Sequence, residues 1–295
     1  MTSMRGRDEQ PVFVIGSPRS GTSLLRLMLM SHPLVVIPPE AGFVVWLHRK
    51  HASWSPGEGH EAFVEDLSGT RKFEFWNLGA EEIIESLDAQ EPEDYGALVA
   101  AVYRCYAARV KPAASVWGDK NNSYVGEVGR LKTIFPNGRF IHIVRDGRNV
   151  AVSYRRLHQR DIRSRYAPVL PFDVGEIARE WARNVIRVEE AMAGFHDLSG
   201  VLTVKLEDLT DRPKETLADV CRVLDLRFDE SMLEYHRLTA DEGGEPVEFL
   251  QWKERNIRPV EPTFSKEYVG ALSVDQIRTF EEIAGPALER FGYLP

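Results

Sequence analysis

The sequence is poor in cysteine, in net positive charge and in long apolar stretches. Its two cysteines, Cys105 and Cys221, lie far apart and in no spacing typical of a metal or redox site. We therefore expect two buried thiols in a reducing compartment. The formal net charge is −8, which argues against bulk binding to nucleic acid or to an anionic membrane. Any anion site must be a local concentration of basic side chains.

Further absences concern metals and membranes. The eight histidines show no metal-ligand spacing, so no metal site is predicted. No window approaches the apolar length of a transmembrane helix, and the first ten residues, MTSMRGRDEQ, lack the apolar stretch of a signal peptide. We expect a cytoplasmic protein without stable membrane insertion. Residues 1–10 are predicted to be a flexible N-terminus, and residues 11–295 a single domain.

Apolar runs alternate with amphipathic stretches along the chain. PVFVIG at 11–16 and RFIHIV at 139–144 indicate buried strands, SVWGDK ends another, and VLTVKLEDL provides a fourth. Helices are expected between them, including one near Glu40 and one over 123–135. The alternation predicts an α/β fold, a P-loop-like, doubly wound parallel sheet flanked by helices. Ligands of such sheets bind outside the carboxyl ends of the strands.

Residues 46–116 depart from this alternation. The segment is irregular and rich in aromatic residues in its first half, and two helices are expected in its second half. Such aromatic clusters more often belong to the core than to a pocket. We interpret the segment as a variable helical insertion on the side of the domain where an acceptor would bind.

The stretch FVIGSPRSGTSLLRLML, residues 13–29, resembles a phosphate-binding P-loop of the form G-x-x-x-x-G-K-[ST]. The glycines and the final hydroxyl of that pattern are present as Gly16, Gly21 and Ser23. Thr22 stands where the pattern has lysine, and Arg19 inside the loop can supply a cation with a planar fork suited to oxyanions. A strand before the loop and a helix after it favour an anion site. The alternative is an ordinary turn with a solvated arginine.

The stretch FIHIVRDGRNVAVSY contains a second candidate anion site. Arg145 follows a predicted strand, and Ser153 lies about two turns along the helix whose N-terminus Asp146 is expected to cap. This arrangement suits a second phosphate. Alone, it could equally be a solvated turn in which Asp146 pairs with Arg148.

Taken together, these motifs resemble the sulfotransferases that use 3′-phosphoadenosine-5′-phosphosulfate (PAPS). SPRSGTS is similar to their 5′-phosphosulfate loop, and IVRDGRNVAVS to their 3′-phosphate motif. FPNGRFIHIVRDGR, VKLEDL and FEEIAGPALERFGY also resemble segments of the family. The pattern is closer to protein-tyrosine and bacterial sulfotransferases than to the cytosolic small-molecule enzymes.

The resemblance implies a role for particular residues. The 5′-phosphosulfate would be held by the loop, namely Ser17, Pro18, Arg19, Ser20, Gly21, Thr22 and Ser23. The 3′-phosphate would be held by Arg145, Ser153 and, from a C-terminal segment, Ser265 and Lys266. The catalytic residues would be Glu40, Lys120 and Arg19. Glu40 would take the acceptor proton, while Lys120 and Arg19 would neutralise the bridging oxygen of the departing 3′-phosphoadenosine-5′-phosphate (PAP).

Two of these residues could instead have roles outside catalysis. Glu40 could be a carboxylate that interacts with a helix N-terminus, and Lys120 could be a surface lysine. The sequence also departs from the small-molecule enzymes. Asn122 replaces their histidine base, which favours Glu40, and Leu24 and Leu206 replace aromatic residues of the family, so the adenine contacts stay unassigned.

The sequence therefore predicts a sulfotransferase that acts on a hydroxyl of a small molecule, glycan, lipid or peptide. Two alternatives stay open: a Mg²⁺-dependent P-loop kinase or NTPase, for which Asp119 is the nearest metal-binding candidate, and a non-catalytic nucleotide-binding protein. The basic run 155–165 is either a solvated helix end or a lid that attracts an anion. The acceptor and the oligomeric state cannot be deduced.

Overall fold

The computed structural model describes residue 6 and residues 9–261 and 266–295. Within these ranges one parallel sheet has the strand order β2-β3-β1-β4-β5. Its strands are β1 (Val12–Ile15), β2 (Val35–Val36), β3 (Val116–Lys120), β4 (Arg139–Val144) and β5 (Val201–Lys205). The chain adds β2 and β3 on one side of β1 and then β4 and β5 on the other. The ligand crevice of such a sheet lies where this order reverses, at the carboxyl end of β1.

Helices cover both faces of the sheet. The helices before β4 are α1 (Thr22–Ser31), α2 (Phe43–Trp46), α3 (His48–His51), α4 (Glu61–Ser68), α5 (Ala80–Gln90), α6 (Tyr95–Val110) and α7 (Val128–Ile134). Those after β4 are α8 (Gly147–His158), α9 (Val174–Ala193), α10 (Leu206–Asp211), α11 (Pro213–Val223), α12 (Leu250–Lys253), α13 (Glu267–Ala271) and α14 (Val274–Arg290). The predicted class, an α/β fold with a doubly wound parallel sheet flanked by helices, is confirmed.

The central strand β1 is buried on both faces, which explains why its sequence is a continuous apolar run. Successive side chains of a strand point to opposite faces of the sheet. Phe13 and Ile15 accordingly pack into one core with α6 and α7, whereas Val12 and Val14 pack into a second core with α1 and α11. Two buried layers fix the strand, and therefore the loop that follows it.

Residues 46–116 contribute mainly to the first of these cores. Phe63, Phe73 and Trp76 are each at most 3% exposed, in line with their interpretation as core residues. Trp46, in contrast, is half exposed.

Two predicted helix boundaries are wrong. The helix expected near Glu40 begins at Phe43, after Gly42, whose φ of 68° is a left-handed conformation that glycine adopts at little cost. The helix expected over 123–135 is a 3₁₀ turn, Asn122–Gly126, followed by α7. Pro286 lies inside α14 and does not end this helix.

The N-terminal ten residues are only partly described. Glu9 is buried, pairs with Arg104 and accepts a hydrogen bond from Trp117 Nε1 at 3.0 Å. Gly6 is also buried, and its N–H donates to Asp94 Oδ1 at 2.8 Å. The structure therefore anchors the chain before β1, and the flexibility of the other residues before Glu9 stays a prediction.

Candidate active site

The loop between β1 and α1 lies at the carboxyl edge of the sheet. Its two glycines are required by close packing. A Cβ on Gly16 would lie 2.4 Å from the carbonyl oxygen of Ile143 in β4, and a Cβ on Gly21 would lie 2.5 Å from Leu206 Cδ1. Gly21 also has a φ of 94°. The loop can therefore pass tightly between β4 and α10 and present its backbone to the crevice.

Arg19 lies within this loop and turns towards the second predicted anion site. Its Nε donates a hydrogen bond to Ser153 Oγ at 3.1 Å, and its carbonyl oxygen accepts one from Arg145 Nη1 at 3.3 Å. Its φ of 67° is left-handed, which is uncommon for arginine and typical of functional sites. The structure thus brings Arg19, Arg145 and Ser153 together, and we call these three residues the arginine pocket.

Electrostatics within the arginine pocket favour an anion. Burial, followed by the nearby charge of Arg145, lowers the pKa of Arg19 to about 10. Burial also lowers the pKa of Arg145, although Glu207 and Glu267 oppose this effect. Both guanidiniums stay protonated at neutral pH, so two like charges lie close together. An anion between them would relieve that repulsion.

Polar atoms without partners indicate where such an anion fits. Ser17 Oγ, Ser20 Oγ and Arg145 Nε are buried and make no hydrogen bond to any described residue. Unsatisfied buried polar groups are costly, and a ligand with oxygen acceptors would satisfy them. The residues present therefore fit a phosphate or phosphosulfate group.

One of the carboxylates that act on Arg145 belongs to α13. Glu267 Oε2 lies 3.6 Å from Arg145 Nη2, and its other oxygen pairs with Arg156. Lys266, a predicted 3′-phosphate residue, is exposed and immediately precedes Glu267. Ser265 lies outside the described residues, so its predicted role is not addressed.

Glu40 follows β2 and lies between two lysines. Lys120 Nζ, at the end of β3, donates to Glu40 Oε1, and Lys72 Nζ donates to Glu40 Oε2 at 2.7 Å. Lys120 also donates to Ser23 Oγ at 3.1 Å, which connects this group to the phosphate loop. We call Glu40, Lys72 and Lys120 the lysine pocket. It contains two of the predicted catalytic residues and adds Lys72, which was not predicted from the sequence.

The lysine pocket keeps its carboxyl group ionised. Burial alone would raise the pKa of Glu40, but the charges of Lys120, Lys253 and Lys72 outweigh it and hold that pKa well below its usual range. Burial lowers the pKa of Lys120 to about 8, even though the charge of Glu40 acts in the opposite direction. At neutral pH the pocket therefore contains a carboxylate and a largely protonated Lys120.

A buried network of charged residues, Glu245, Lys253 and Arg26, lies next to the lysine pocket. Glu245 accepts from Lys253 at 2.6 Å and lies 3.8 Å from Arg26 of α1. Arg26 is 1% exposed and donates to the carbonyl oxygens of residues 37, 243 and 244. It therefore ties the chain before Glu40 to the segment that carries Lys253. This network was not predicted from the sequence because its members are far apart in the chain.

Two alternatives for single residues are not supported. Lys120 is fully buried, so it is not a surface lysine. Glu40 precedes the first residue of α2 by three positions and is engaged by lysines, so it does not serve mainly as a helix cap. Asp146, in contrast, caps α8 as predicted, accepting from the Arg148 backbone at 2.9 Å, and its side chain also pairs with Arg148.

The basic run 155–165 begins in the last turn of α8 and forms ion pairs with three other segments. Arg156 pairs with Glu267 of α13, Arg160 with Glu254, and Arg165 with Glu74 of the inserted segment. These arginines are exposed, so each pair contributes little on its own. The run connects three separate segments around the crevice rather than ending in solvent.

Comparison with known proteins identifies the class of this fold and site. A family model described as the sulfotransferase family matches residues 11–230. The match covers most of the chain, which therefore belongs to the sulfotransferase family. The predicted class of enzyme is confirmed, whereas PAPS as the co-substrate and PAP as the product stay a prediction.

The relatives of this chain include protein-tyrosine sulfotransferases. The Drosophila melanogaster protein-tyrosine sulfotransferase is 24% identical over 98% of this chain, and the chain spans about half, 52%, of that relative's length. Protein-tyrosine sulfotransferase 1 of Danio rerio is 25% identical over 98% of this chain and 74% of its own length.

Solved structures show the same fold. The sulfotransferase domain of the Synechococcus PCC 7002 olefin synthase has a TM-score of 0.59 at 22% identity, over 94% of this chain and 96% of that one. The sulfotransferase domain from the curacin biosynthetic pathway has a TM-score of 0.61 at 19% identity, over 94% and 98%. At these identities the likeness concerns the fold.

The described residues contain neither a metal cluster nor a membrane span. Across residues 9–261 and 266–295, no three His, Cys, Asp or Glu side chains are grouped so that they could hold a metal ion. In the same part of the chain, no helix combines the length and apolar character needed to cross a bilayer.

Proposed function

We propose that this protein transfers the sulfuryl group of PAPS to a hydroxyl acceptor, with Glu40 as the general base. The observation that carries the proposal is the presence of two cationic pockets at one edge of the sheet. Arg145 Nε of the arginine pocket, and Ser17 Oγ and Ser20 Oγ of the phosphate loop, are unpartnered groups suited to phosphate oxygens. The lysine pocket holds an ionised carboxylate. A donor with two separated anionic groups and an acceptor that must lose a proton together account for both.

The donor-binding residues follow from this assignment. Arg145 and Ser153, with Lys266 and Ser265 as further candidates, would hold the 3′-phosphate. Arg19 and the residues 17–23 would hold the 5′-phosphosulfate, using loop N–H groups, hydroxyls and the helix N-terminus. PAPS supplies an activated sulfuryl group whose S–O bond to PAP breaks as a new S–O bond to the acceptor forms.

The chain's own residues then manage protons and charge. Glu40 is ionised and takes the acceptor proton as the hydroxyl oxygen attacks. Lys120, which donates to both Glu40 and Ser23, lies between the base and the phosphate loop. Its ammonium neutralises charge that develops on the leaving oxygen, and Arg19 assists from the loop. Positioning and charge stabilisation dominate such a transfer, as in phosphoryl transfer.

The acceptor class and the location stay predictions. We infer a hydroxyl of a small molecule, glycan, lipid or peptide, and the names of the relatives in the fly and zebrafish are compatible with a phenolic hydroxyl. The predicted cytoplasmic location is likewise untested.

A Mg²⁺-dependent kinase has less support. Asp119, its nearest metal-binding candidate, is 1% exposed and accepts hydrogen bonds from Tyr124 Oη and Asn121 Nδ2. Burial raises the pKa of Asp119, although these hydrogen bonds oppose the shift. Its carboxylate is therefore occupied in holding the chain after β3.

A donor-exchange assay tests the proposal. The protein is incubated with radiolabelled PAPS or ATP and a broad panel of hydroxyl acceptors, with and without EDTA. We expect transfer from PAPS that EDTA does not abolish. Transfer from ATP alone, lost on adding EDTA, would contradict the proposal. PAP binding without transfer, unaffected by Glu40→Ala and Lys120→Ala, would support a non-catalytic binding protein instead.

A further inference from the structure

Lys72 has a backbone conformation that lysine seldom adopts. Its φ is 74° and its ψ −6°, in the left-handed region that glycine enters without steric cost. It immediately precedes the 3₁₀ turn Phe73–Trp76, whose two end residues are buried. Such strained positions persist where their surroundings over-determine them, and they cluster at functional sites.

The contacts of the Lys72 side chain explain what holds it there. Its Nζ donates to Glu40 Oε2 at 2.7 Å and lies 5.2 Å from the ring centroid of Phe249. The Phe249 ring is fully buried, and Lys253 Nζ lies 4.9 Å from the same ring. Lys72 is thus held between a carboxylate and an aromatic ring, with its side chain 20% exposed.

We propose that Lys72 is a positioning residue that fixes Glu40 through Oε2 and keeps this carboxylate charged while the acceptor binds. The proposal rests on the proposed function, in which Glu40 is the base. With Lys120 on one oxygen and Lys72 on the other, the carboxylate cannot rotate freely. Each carboxylate oxygen has a second lone pair, so Oε2 can still accept the acceptor's O–H.

The charges around Glu40 predict how the role of Lys72 can be measured. The groups that act on Glu40 are Lys120 of β3, Lys253 of α12 and Lys72 itself, while Glu245 acts on Lys120 and Lys253 and is paired in turn with Arg26. Removing Lys72 leaves the burial of Glu40 and takes away one of three opposing cations. The pKa of Glu40 must then rise, so the acidic limb of the kcat/KM profile moves to higher pH.

Glycine is the sharpest replacement, because Lys72→Gly removes the ammonium and also suits the left-handed backbone. We expect Lys72→Gly to fold with a Tm near that of the wild type and to bind PAP with unchanged affinity. Its kcat is expected to fall by roughly tenfold through misplacement of the base, and its acidic limb to move to higher pH. Lys72→Arg, which restores a cation, should return both values towards wild type.

Asn77→Gly is the matched backbone control. Asn77 ends the same 3₁₀ turn with a φ of 52° and is exposed. Its replacement by glycine should change neither kcat nor the acidic limb. The proposal would be overturned if Lys72→Gly had the same kcat as wild type and the same acidic limb of the kcat/KM profile. A loss of Tm in Lys72→Gly that Lys72→Arg does not reverse would also overturn it, since Lys72 would then be merely structural.

A second measurement separates this proposal from the proposed function. The ¹³C resonance of the Glu40 carboxyl group reports its titration without any acceptor. A titration midpoint that is the same in wild type and Lys72→Gly contradicts the role of Lys72. Absence of transfer from PAPS by the wild type contradicts the proposed function, whatever the midpoint shows.

Discussion

The arginine pocket and the lysine pocket use cations in different ways. In the arginine pocket Arg19 and Arg145 lie beside each other. Arg145 Nη2 lies 3.6 Å from Glu267 Oε2, farther than a hydrogen bond. In the lysine pocket two ammonium groups contact the oxygens of one carboxylate, Glu40. Two neighbouring guanidiniums whose charges are only partly compensated attract an external anion, whereas a carboxylate contacted by two ammonium groups is held in place. The first arrangement suits binding and the second suits proton transfer.

This difference predicts that changes in the two pockets affect different kinetic constants. Glu40→Gln should have the largest effect, because it removes the proton acceptor while leaving the donor site intact. General-base catalysis typically contributes about 10²- to 10⁴-fold, so turnover should fall by that order. PAP affinity, measured by calorimetry, should stay near wild type.

Glu74→Gln is a suitable control for that substitution, since Glu74 is a surface carboxylate of the inserted segment that pairs with Arg165. It should leave turnover almost unchanged. If PAP binding by Glu40→Gln falls as much as turnover does, Glu40 is not the base.

Arg145→Ala should have the next largest effect and should act on binding. A hydrogen bond to a charged group contributes about 1.5–3 kcal/mol, which corresponds to roughly a 10- to 100-fold loss of PAPS affinity. KM for PAPS should rise while kcat changes little. Arg163→Ala, at an arginine whose side chain is 85% exposed, provides the control. Unchanged PAPS affinity in Arg145→Ala would show that Arg145 does not bind the donor.

The pH dependence of kcat/KM provides a third comparison. Lys120 must be protonated to neutralise the leaving oxygen, and burial lowers the pKa of Lys120 to about 8. Activity should therefore be retained below this pH and should fall about tenfold per unit above it. Lys120→Arg keeps a cation at all accessible pH values, so any activity that remains should lose this basic limb. A basic limb that is identical in both proteins would show that another group titrates.

Ser20→Ala should have the smallest effect, and the direction of the change in Tm is informative. Ser20 Oγ is buried without a hydrogen-bond partner in the described chain, so its removal should leave the Tm unchanged or raise it. If this hydroxyl contacts the donor, PAP affinity should fall by about two- to tenfold, the value of one neutral hydrogen bond. Lower stability with unchanged PAP affinity would assign Ser20 a structural role.

The sequence allowed better prediction of the arginine pocket than of the lysine pocket, and the reason is local. Gly16, Gly21 and Arg19 belong to one strand–loop–helix unit, and Arg145 and Ser153 belong to another. Because parallel strands end at one edge of the sheet, predicting the sheet was enough to bring the two units together. Glu40 and Lys120 were identified from the family resemblance, and the structure brings them into contact.

Lys72 and Lys253 could not be found in the same way. Lys72 approaches Glu40 from an irregular inserted segment whose path depends on the burial of Phe73 and Trp76. Lys253 depends on Glu245, which in turn lies against Arg26 of α1. These contacts join residues far apart in sequence, and no short motif encodes them. Helix boundaries near Glu40 and Asn122 failed for a related reason, since Gly42 and the 3₁₀ turn follow tertiary packing.

The central claim is that the two cationic pockets and the phosphate loop serve one donor with separated 3′ and 5′ anionic groups. The most direct test compares the binding of PAP and of AMP by wild type and by Arg145→Ala. Calorimetry should show that wild type binds PAP more tightly than AMP, and that Arg145→Ala removes most of this preference while AMP affinity stays the same. Equal affinities of the wild type for PAP and AMP, or a preference that survives in Arg145→Ala, would contradict the assignment of Arg145 to the 3′-phosphate.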